Sequence, residues 1–134
     1  MATISTLSQE LFLLTDSSAL LDMLLSFANV VASRPSSFVR PTLSTEPDAK
    51  LILLGAKNIV AANAMTARGV GISLDFVGND LNINPSSNVV VVSGPNGSGK
   101  SIYIRQAALC VIMAQIGMFV PAQKAIIPLR DRST

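Results

Sequence analysis

The chain has 134 residues, the size of one domain, with 49% hydrophobic and only 13% charged residues. An average soluble domain carries about 25% charged residues, and intrinsic disorder goes with low hydrophobicity and high net charge, so a disordered chain is excluded. So few charged residues cannot cover the surface of a domain that is exposed to solvent on all sides. We therefore expect a piece of a larger protein whose remainder covers some of this one.

The cysteine and histidine content excludes several classes of site. One cysteine, Cys110, leaves no internal disulfide framework, and the absence of histidine excludes His-based zinc sites and Ser–His or Cys–His catalysis within the chain. Residues 1–93 carry five Lys/Arg and seven Asp/Glu, whereas residues 94–134 carry five Lys/Arg and one Asp. The second part therefore has a net charge of +4, which suits an anionic ligand.

The first predicted element is a helix over residues 9–32. Polar side chains recur three or four residues apart along one face, at Thr15, Ser18, Asp22, Ser26, Asn29 and Ser33. Arg34-Pro35 should end the helix, because a residue before proline is pushed out of the α region. We interpret residues 1–36 as a connector helix ahead of a domain over residues 37–134. No basic start precedes the apolar stretch, so a signal peptide is not predicted.

Short extended segments are predicted next, at Ser37–Val39, Lys50–Leu54 and Leu81–Ile83, with a small-residue loop at Ala61–Gly71. The β-branched run Val89–Ser93 is typical of a strand buried on both faces.

A helix over Lys100–Met118 is predicted to follow this strand. After its first residue Arg105 is its only charge, so burial almost all round is expected. Its uncharged stretch is interrupted by Gln115, Gly117 and Pro121, which favours a buried helix over a membrane span, and no membrane partner is expected. Cys110, inside this helix, is expected to be a packing residue.

One motif carries chemistry. The pattern G-x-x-x-x-G-K-[ST] of phosphate-binding loops is matched by Gly94, Pro95, Asn96, Gly97, Ser98, Gly99, Lys100 and Ser101. Glycines bring backbone N–H groups against phosphate oxygens, and the N-terminus of the following helix adds partial positive charge. Lys100 would reach the β- and γ-phosphates, and Ser101 would place its hydroxyl on Mg²⁺. A chance match is expected roughly once in two hundred chains of this length, and the strand–loop–helix context makes it less probable still.

The flanks of the loop resemble the MutS family of DNA mismatch repair ATPases. The similarity runs collinearly through residues 15–132 and is carried by Asp22–Ala32, Phe38–Pro41, Phe76–Ile83, Ser101–Gln106, Met113–Gly117 and Phe119–Ala122. Isoleucine at position 102, where most members have threonine, resembles the meiotic branch, the fifth eukaryotic MutS homologue.

The resemblance implies an α/β fold, the N-terminal part of an ABC-like P-loop ATPase core that binds ATP and Mg²⁺. It places the phosphates on Gly94–Ser101 and the adenine on Phe76, although Phe76 could equally be a core residue. For the parent protein it implies a nuclear mismatch repair or meiotic recombination ATPase. Double-stranded DNA would bind through domains outside this chain, and a second MutS-type subunit would complete a dimer.

Two departures from the family pattern bear on catalysis. The family's Gly-Arg-His-Pro is replaced by Gly55-Ala56-Lys57-Asn58, in which Lys57 is a weak substitute. The family's Asp-Glu strand is absent, and Asp131 is a poor replacement because no apolar strand-like run leads directly into it; with Arg132 it matches an Asp-Arg pair of the family. We therefore expect no catalytic residue here. The alternatives are a nucleotide-binding fragment without hydrolysis and a piece of an ABC-type ATPase, which the flanks disfavour.

Overall fold

A computed structural model describes residues 2–46, 48–61, 77–87 and 89–129. The chain divides into two compact units, Met1–Pro35 and Ser36–Thr134.

The first unit is the helix α1, Ala2–Ala32, which begins seven residues before the predicted start. It ends where Arg34-Pro35 was predicted to stop it, and a 3₁₀ turn, Pro35–Ser37, follows. Hydroxyl groups on α1 bond back to the helix itself: Thr15 Oγ1 donates to the Leu11 carbonyl at 2.8 Å, and Ser17 Oγ donates to the Leu13 carbonyl at 2.7 Å. Polar residues are thereby accommodated in a leucine-rich helix.

Part of α1 has the dimensions of a membrane span. Within the described residues, the stretch Ser8–Ala32 has 25 residues, and 18 consecutive residues within it have a mean hydropathy of 1.5. Core helices of soluble proteins and signal sequences satisfy the same criterion of length and composition. The finding therefore assigns no membrane to the chain.

The second unit is built on a four-stranded sheet in the order β1-β4-β2-β3. The strands are β1, Thr42–Ser44; β2, Leu51–Ala56; β3, Asn79–Ile83; and β4, Lys124–Pro128. β1 pairs with β4 in parallel, and β2 pairs antiparallel with both β4 and β3. The predicted α/β class is confirmed as a mixed α/β structure, whereas the P-loop ATPase core remains a prediction.

Helix α2, Lys100–Gln115, packs against β2. Its buried residues are Gln106, Cys110, Met113 and Ala114, whose spacing places them on one face. They meet a core that includes the fully buried side chains Leu53, Val120 and Ile127. The prediction that α2 is buried almost all round was wrong, because the sheet covers one face and leaves Ile104 and Ile112 exposed. α2 also ends three residues before the predicted Met118.

Several strand predictions require correction. Lys50–Leu54 and Leu81–Ile83 correspond to β2 and β3, whereas Ser37–Val39 contributes a single bridge between Val39 and Val120. Strands β1 and β4 were not predicted. β4 ends three residues before Asp131 and so does not lead directly into it; Asp131 itself lies outside the described residues, and its dismissal as a catalytic residue stays a prediction.

The run Val89–Ser93 is not the buried strand that its composition predicted. Val89 and Val91 are 78% and 86% exposed, and no strand among the described residues pairs with this run. β-branched side chains favour extended backbone, but burial depends on neighbouring strands. The loop predicted at Ala61–Gly71 lies outside the described residues, apart from the helical Ala61.

Candidate functional site

The motif forms a tight loop that leads directly into α2. Gly97 and Gly99 have φ angles of 83° and 92°, and Gly99 is the N-cap residue of the helix. Side chains are strained in this left-handed region, so the glycines permit the turn. Ser98 N–H donates to the Pro95 carbonyl at 3.3 Å and closes the loop. The first N–H groups of α2 have no partner within the helix and supply partial positive charge at this end.

The Lys100 side chain folds back over the loop. Its ammonium Nζ donates to the Gly94 carbonyl at 2.5 Å and to the Pro95 carbonyl at 2.6 Å. The side chain is half-buried, whereas residues 94–98 are exposed. A full positive charge therefore lies beside the partial positive charge of the helix terminus, an arrangement that favours an anion.

A cavity of about 420 Å³ lies beside this loop. Its walls come from four parts of the chain: residues 77 and 79, residues 92 and 93, the end of the loop, and the first two turns of α2. The lining residues are Val77, Asn79, Val92, Ser93, Ser98, Gly99, Lys100, Ile102, Tyr103 and Gln106. The volume is within the usual range of small-ligand sites, about 300–1,000 Å³.

Only some residues of the predicted site line the cavity. Ser98, Gly99 and Lys100 line it, whereas Gly94, Pro95, Asn96, Gly97 and Ser101 are exposed and do not. Phe76, the predicted adenine-stacking residue, lies outside the described residues. The cavity does include its neighbour Val77, so the chain next to Phe76 shares a cavity with Lys100.

Ser101 lies in the exposed first turn of α2, next to Lys100. Its hydroxyl is the kind of oxygen ligand that Mg²⁺ takes, with phosphates and waters supplying the remaining ligands. The residue therefore fits the predicted metal role. Among the described residues no group of three or more His, Cys, Asp or Glu side chains could hold a metal ion.

Two residues of the site were missed as site residues. Tyr103 is half-buried, lines the cavity and donates its hydroxyl to the Asp80 carbonyl at 2.9 Å. Gln106 is buried, and its Nε2 donates to the Ala56 carbonyl at 2.8 Å. The sequence holds one signal for both, because successive steps of three residues from Lys100 place Tyr103 and Gln106 on its side of the helix.

The segment that departs from the family pattern supports the helix start. Asn58 is buried, and its Nδ2 donates to the Ile102 carbonyl at 3.1 Å. Lys57 does not line the cavity, and its N–H donates to the Pro121 carbonyl at 2.8 Å. Arg105 does not line it either: it borders a second, mainly apolar groove with Leu109 and Ile112.

Comparisons with known proteins agree with the motif and its flanks. Residues 90–133 match the model of MutS domain V. The DNA mismatch repair protein MutS of Listeria monocytogenes is 39% identical over 112 residues, which is 84% of this chain and 12% of that protein. The MutS proteins of Lactobacillus johnsonii and a Geobacillus strain are 39% and 41% identical, over 85% and 84% of this chain respectively.

The chain spans about 12% of the length of each of these relatives. The domain match covers the whole phosphate-loop motif and all of α2 and β4, and the relatives extend the similarity to most of the remaining chain. Together, the domain match and the relatives support the MutS family for this chain.

Proposed function

We propose that this chain binds Mg²⁺·ATP through Gly94–Ser101, as part of the ATPase of a MutS-type DNA mismatch repair protein. The observation that carries the proposal is the position of Lys100. Its ammonium lies over the loop, at the N-terminus of α2 and on the wall of the 420 Å³ cavity. Three sources of positive potential, namely the ammonium, the helix terminus and the loop N–H groups, thus meet at one point.

On phosphate binding, Lys100 would exchange neutral carbonyl acceptors for phosphate oxygens. Charge-assisted hydrogen bonds between an ammonium and a phosphate are shorter and roughly twice as strong as neutral ones. The carbonyls of Gly94 and Pro95 hold the ammonium beside the loop before the ligand arrives, which limits the rotamer freedom lost on binding. Ser101 would hold Mg²⁺, whose charge offsets that of the β- and γ-phosphates.

The remainder of the nucleotide would occupy the part of the cavity nearest residues 77–79. This assignment is supported by the shared cavity, which joins Lys100 to Val77 and Asn79. Phe76 would stack on the adenine from the adjoining segment, since aromatic rings bind purine faces well.

For the whole protein, we propose DNA as the substrate and a second MutS-type subunit as the partner. The support for DNA is that the relatives are named DNA mismatch repair proteins. The narrower proposals of a meiotic branch and a nuclear location are supported by Ile102 alone.

The rival proposal is nucleotide binding without hydrolysis. The observation that favours it concerns the acidic residue Asp80, whose backbone carbonyl accepts a hydrogen bond from the cavity-lining Tyr103. The carboxylate of Asp80 accepts the Gly55 N–H at 2.7 Å. A carboxylate engaged in this way is poorly placed to orient an attacking water. Measuring turnover beside binding separates the two proposals.

Calorimetric titration of Mg²⁺·ATP into the Lys100→Ala variant tests ATP binding. We expect about a ten- to hundredfold loss of affinity, because a charge-assisted hydrogen bond is worth about 1.5–3 kcal/mol. Ser101→Ala should weaken binding chiefly when Mg²⁺ is present.

The matched control is Lys124→Ala, which removes the same charge from an exposed position in β4. Its affinity should equal that of the wild type. Equal losses of ATP affinity in Lys100→Ala and Lys124→Ala would mean that only the net charge of the protein matters. Equal ATP affinity in Lys100→Ala and the wild type would refute the proposed site.

A further inference from the structure

Asp80 lies opposite an irregularity in the sheet. β2 and β3 pair Leu53 with Leu81 and Ala56 with Asn79, so two residues of β2 oppose Asp80 alone. Such a bulge removes the regular ladder partner of a backbone group. The Asp80 carboxylate supplies one, because its Oδ1 accepts the Gly55 N–H at 2.7 Å.

The bulge brings the chain before β3 against β2. A Cβ atom added to Gly78 would lie 2.6 Å from the Gly55 carbonyl oxygen, closer than packed atoms approach. Position 78 therefore requires glycine for this contact. The placement of residues 77–79 is consequently coupled to the bulge that Asp80 stabilises.

The same end of the sheet is tied to the start of α2. The Tyr103 hydroxyl donates to the backbone carbonyl of Asp80 at 2.9 Å, and Gln106 Nε2 donates to the Ala56 carbonyl at 2.8 Å. Ala56 is the residue on the far side of the bulge. The helix that begins at Lys100 is thus bonded to both strands at the bulge.

We infer that Tyr103 and Asp80 are positioning residues that set the separation between Lys100 and residues 77–79, and thereby the recognition of the non-phosphate part of the nucleotide. This inference rests on the proposed function. Two of the cavity walls, at residues 77–79 and at the start of α2, are joined by the Tyr103 hydroxyl, which bonds to Asp80, 23 residues away in sequence. Loss of either contact would let the wall at Val77 and Asn79 shift while leaving the loop at Lys100 intact.

The experiment compares the affinities of the full chain for Mg²⁺·ATP and for Mg²⁺·inorganic triphosphate, which has no base or ribose. Tyr103→Phe keeps the ring and removes the hydroxyl, and Asp80→Ala removes the acceptor of the Gly55 N–H. Tyr103→Phe should weaken the binding of ATP by about three- to tenfold, the range of one neutral hydrogen bond, and Asp80→Ala, which removes a bond to a charged acceptor, should weaken it at least as much. Both variants should leave the affinity for triphosphate unchanged.

Two further variants sharpen the comparison. Asp80→Asn keeps an oxygen that accepts the Gly55 N–H, so it should restore ATP affinity to near the wild-type value. Asn82→Ala, at an exposed position on the same strand, should change the affinity for neither ligand. Thermal unfolding of each variant shows whether it is folded, and a general loss of structure would lower both affinities together.

The outcomes separate the inference from the proposed function. If the wild type binds both ligands and Lys100→Ala weakens the binding of both, the proposed site is supported. In that case, equal effects of Tyr103→Phe on the affinities for ATP and triphosphate, or no effect on either affinity, overturn the inference alone. A failure of Asp80→Asn to exceed Asp80→Ala in ATP affinity also contradicts it. If the wild type binds neither ligand, the proposed function and the inference fall together.

Discussion

The Cys110 thiol lies fully buried on the face of α2 that packs against the sheet. Burial disfavours the charged thiolate and raises the pKa of Cys110 from 9.0 to about 11. The neutral thiol therefore packs as a small apolar group, in agreement with the sequence prediction. A thiol with so high a pKa is a poor nucleophile at neutral pH.

This pKa predicts a pH dependence of stability. The folded state holds the proton more tightly than the unfolded state, so the contribution is fully present below pH 9 and is lost as the pH rises toward about 11. We expect the free energy of unfolding in urea to fall over this interval. The Cys110→Ala variant should show a smaller fall, and equal slopes in the two proteins would contradict the assignment.

The remaining residues of the site show how far single positions can be read from a sequence. Lys100 and Gly99 were assigned correctly to a loop that opens a helix, because the motif demands glycine and lysine at fixed spacings. The partner of Tyr103 could not be read, because Asp80 is 23 residues away and accepts through its backbone carbonyl, which every residue has. Phe76 stays a prediction.

At the scale of the element, β2 presents neighbouring leucines to opposite faces of the sheet. Leu53 is 1% exposed and Leu54 is 37% exposed. Leu53→Ala should lower the free energy of unfolding by about 2–5 kcal/mol, because it leaves a cavity in the core. Leu54→Ala removes the same atoms from the outer face and should cost less than about 1 kcal/mol.

Urea denaturation of both variants measures this difference. A larger loss for Leu54→Ala than for Leu53→Ala would mean that the outer face of β2 is covered and the inner one is not. Equal losses of unfolding free energy would show that the two faces of β2 are equally buried, which would contradict the packing of α2 against one of them.

Helices and strands were predictable to different degrees for a physical reason. The periodicity that marks α1 is contained within the helix, and α2 is marked by the motif that opens it and by its almost uncharged sequence; Arg34-Pro35 and Pro121 mark where helices cannot continue. β4 was missed because Lys124–Pro128 is short, begins with a charge and ends with proline, so it has no alternation to detect. It is a strand because Thr42–Ser44 and Leu51–Ala56 lie on either side of it.

At the scale of the whole molecule, every described residue of the candidate site belongs to the unit Ser36–Thr134. A protein consisting of residues 36–134 should therefore bind Mg²⁺·ATP with nearly the affinity of the full chain, and Lys100→Ala should weaken binding about ten- to hundredfold in both. Calorimetry on the two lengths measures this. A loss of more than about tenfold on removing residues 1–35 would show that the helical unit contributes to the site.

The valines before the loop have a consequence for handling this protein. Val89–Val92 has strong β propensity, no charge and no proline, and its backbone N–H and C=O groups pair with no strand among the described residues. Such a stretch matches the composition of segments that stack into cross-β aggregates, where each chain supplies the missing ladder to the next. In concentrated solution we expect this segment ahead of the phosphate-loop motif to act as a template for fibrils. Because only Ser93 separates the stretch from Gly94, a ligand bound at the loop should slow their growth.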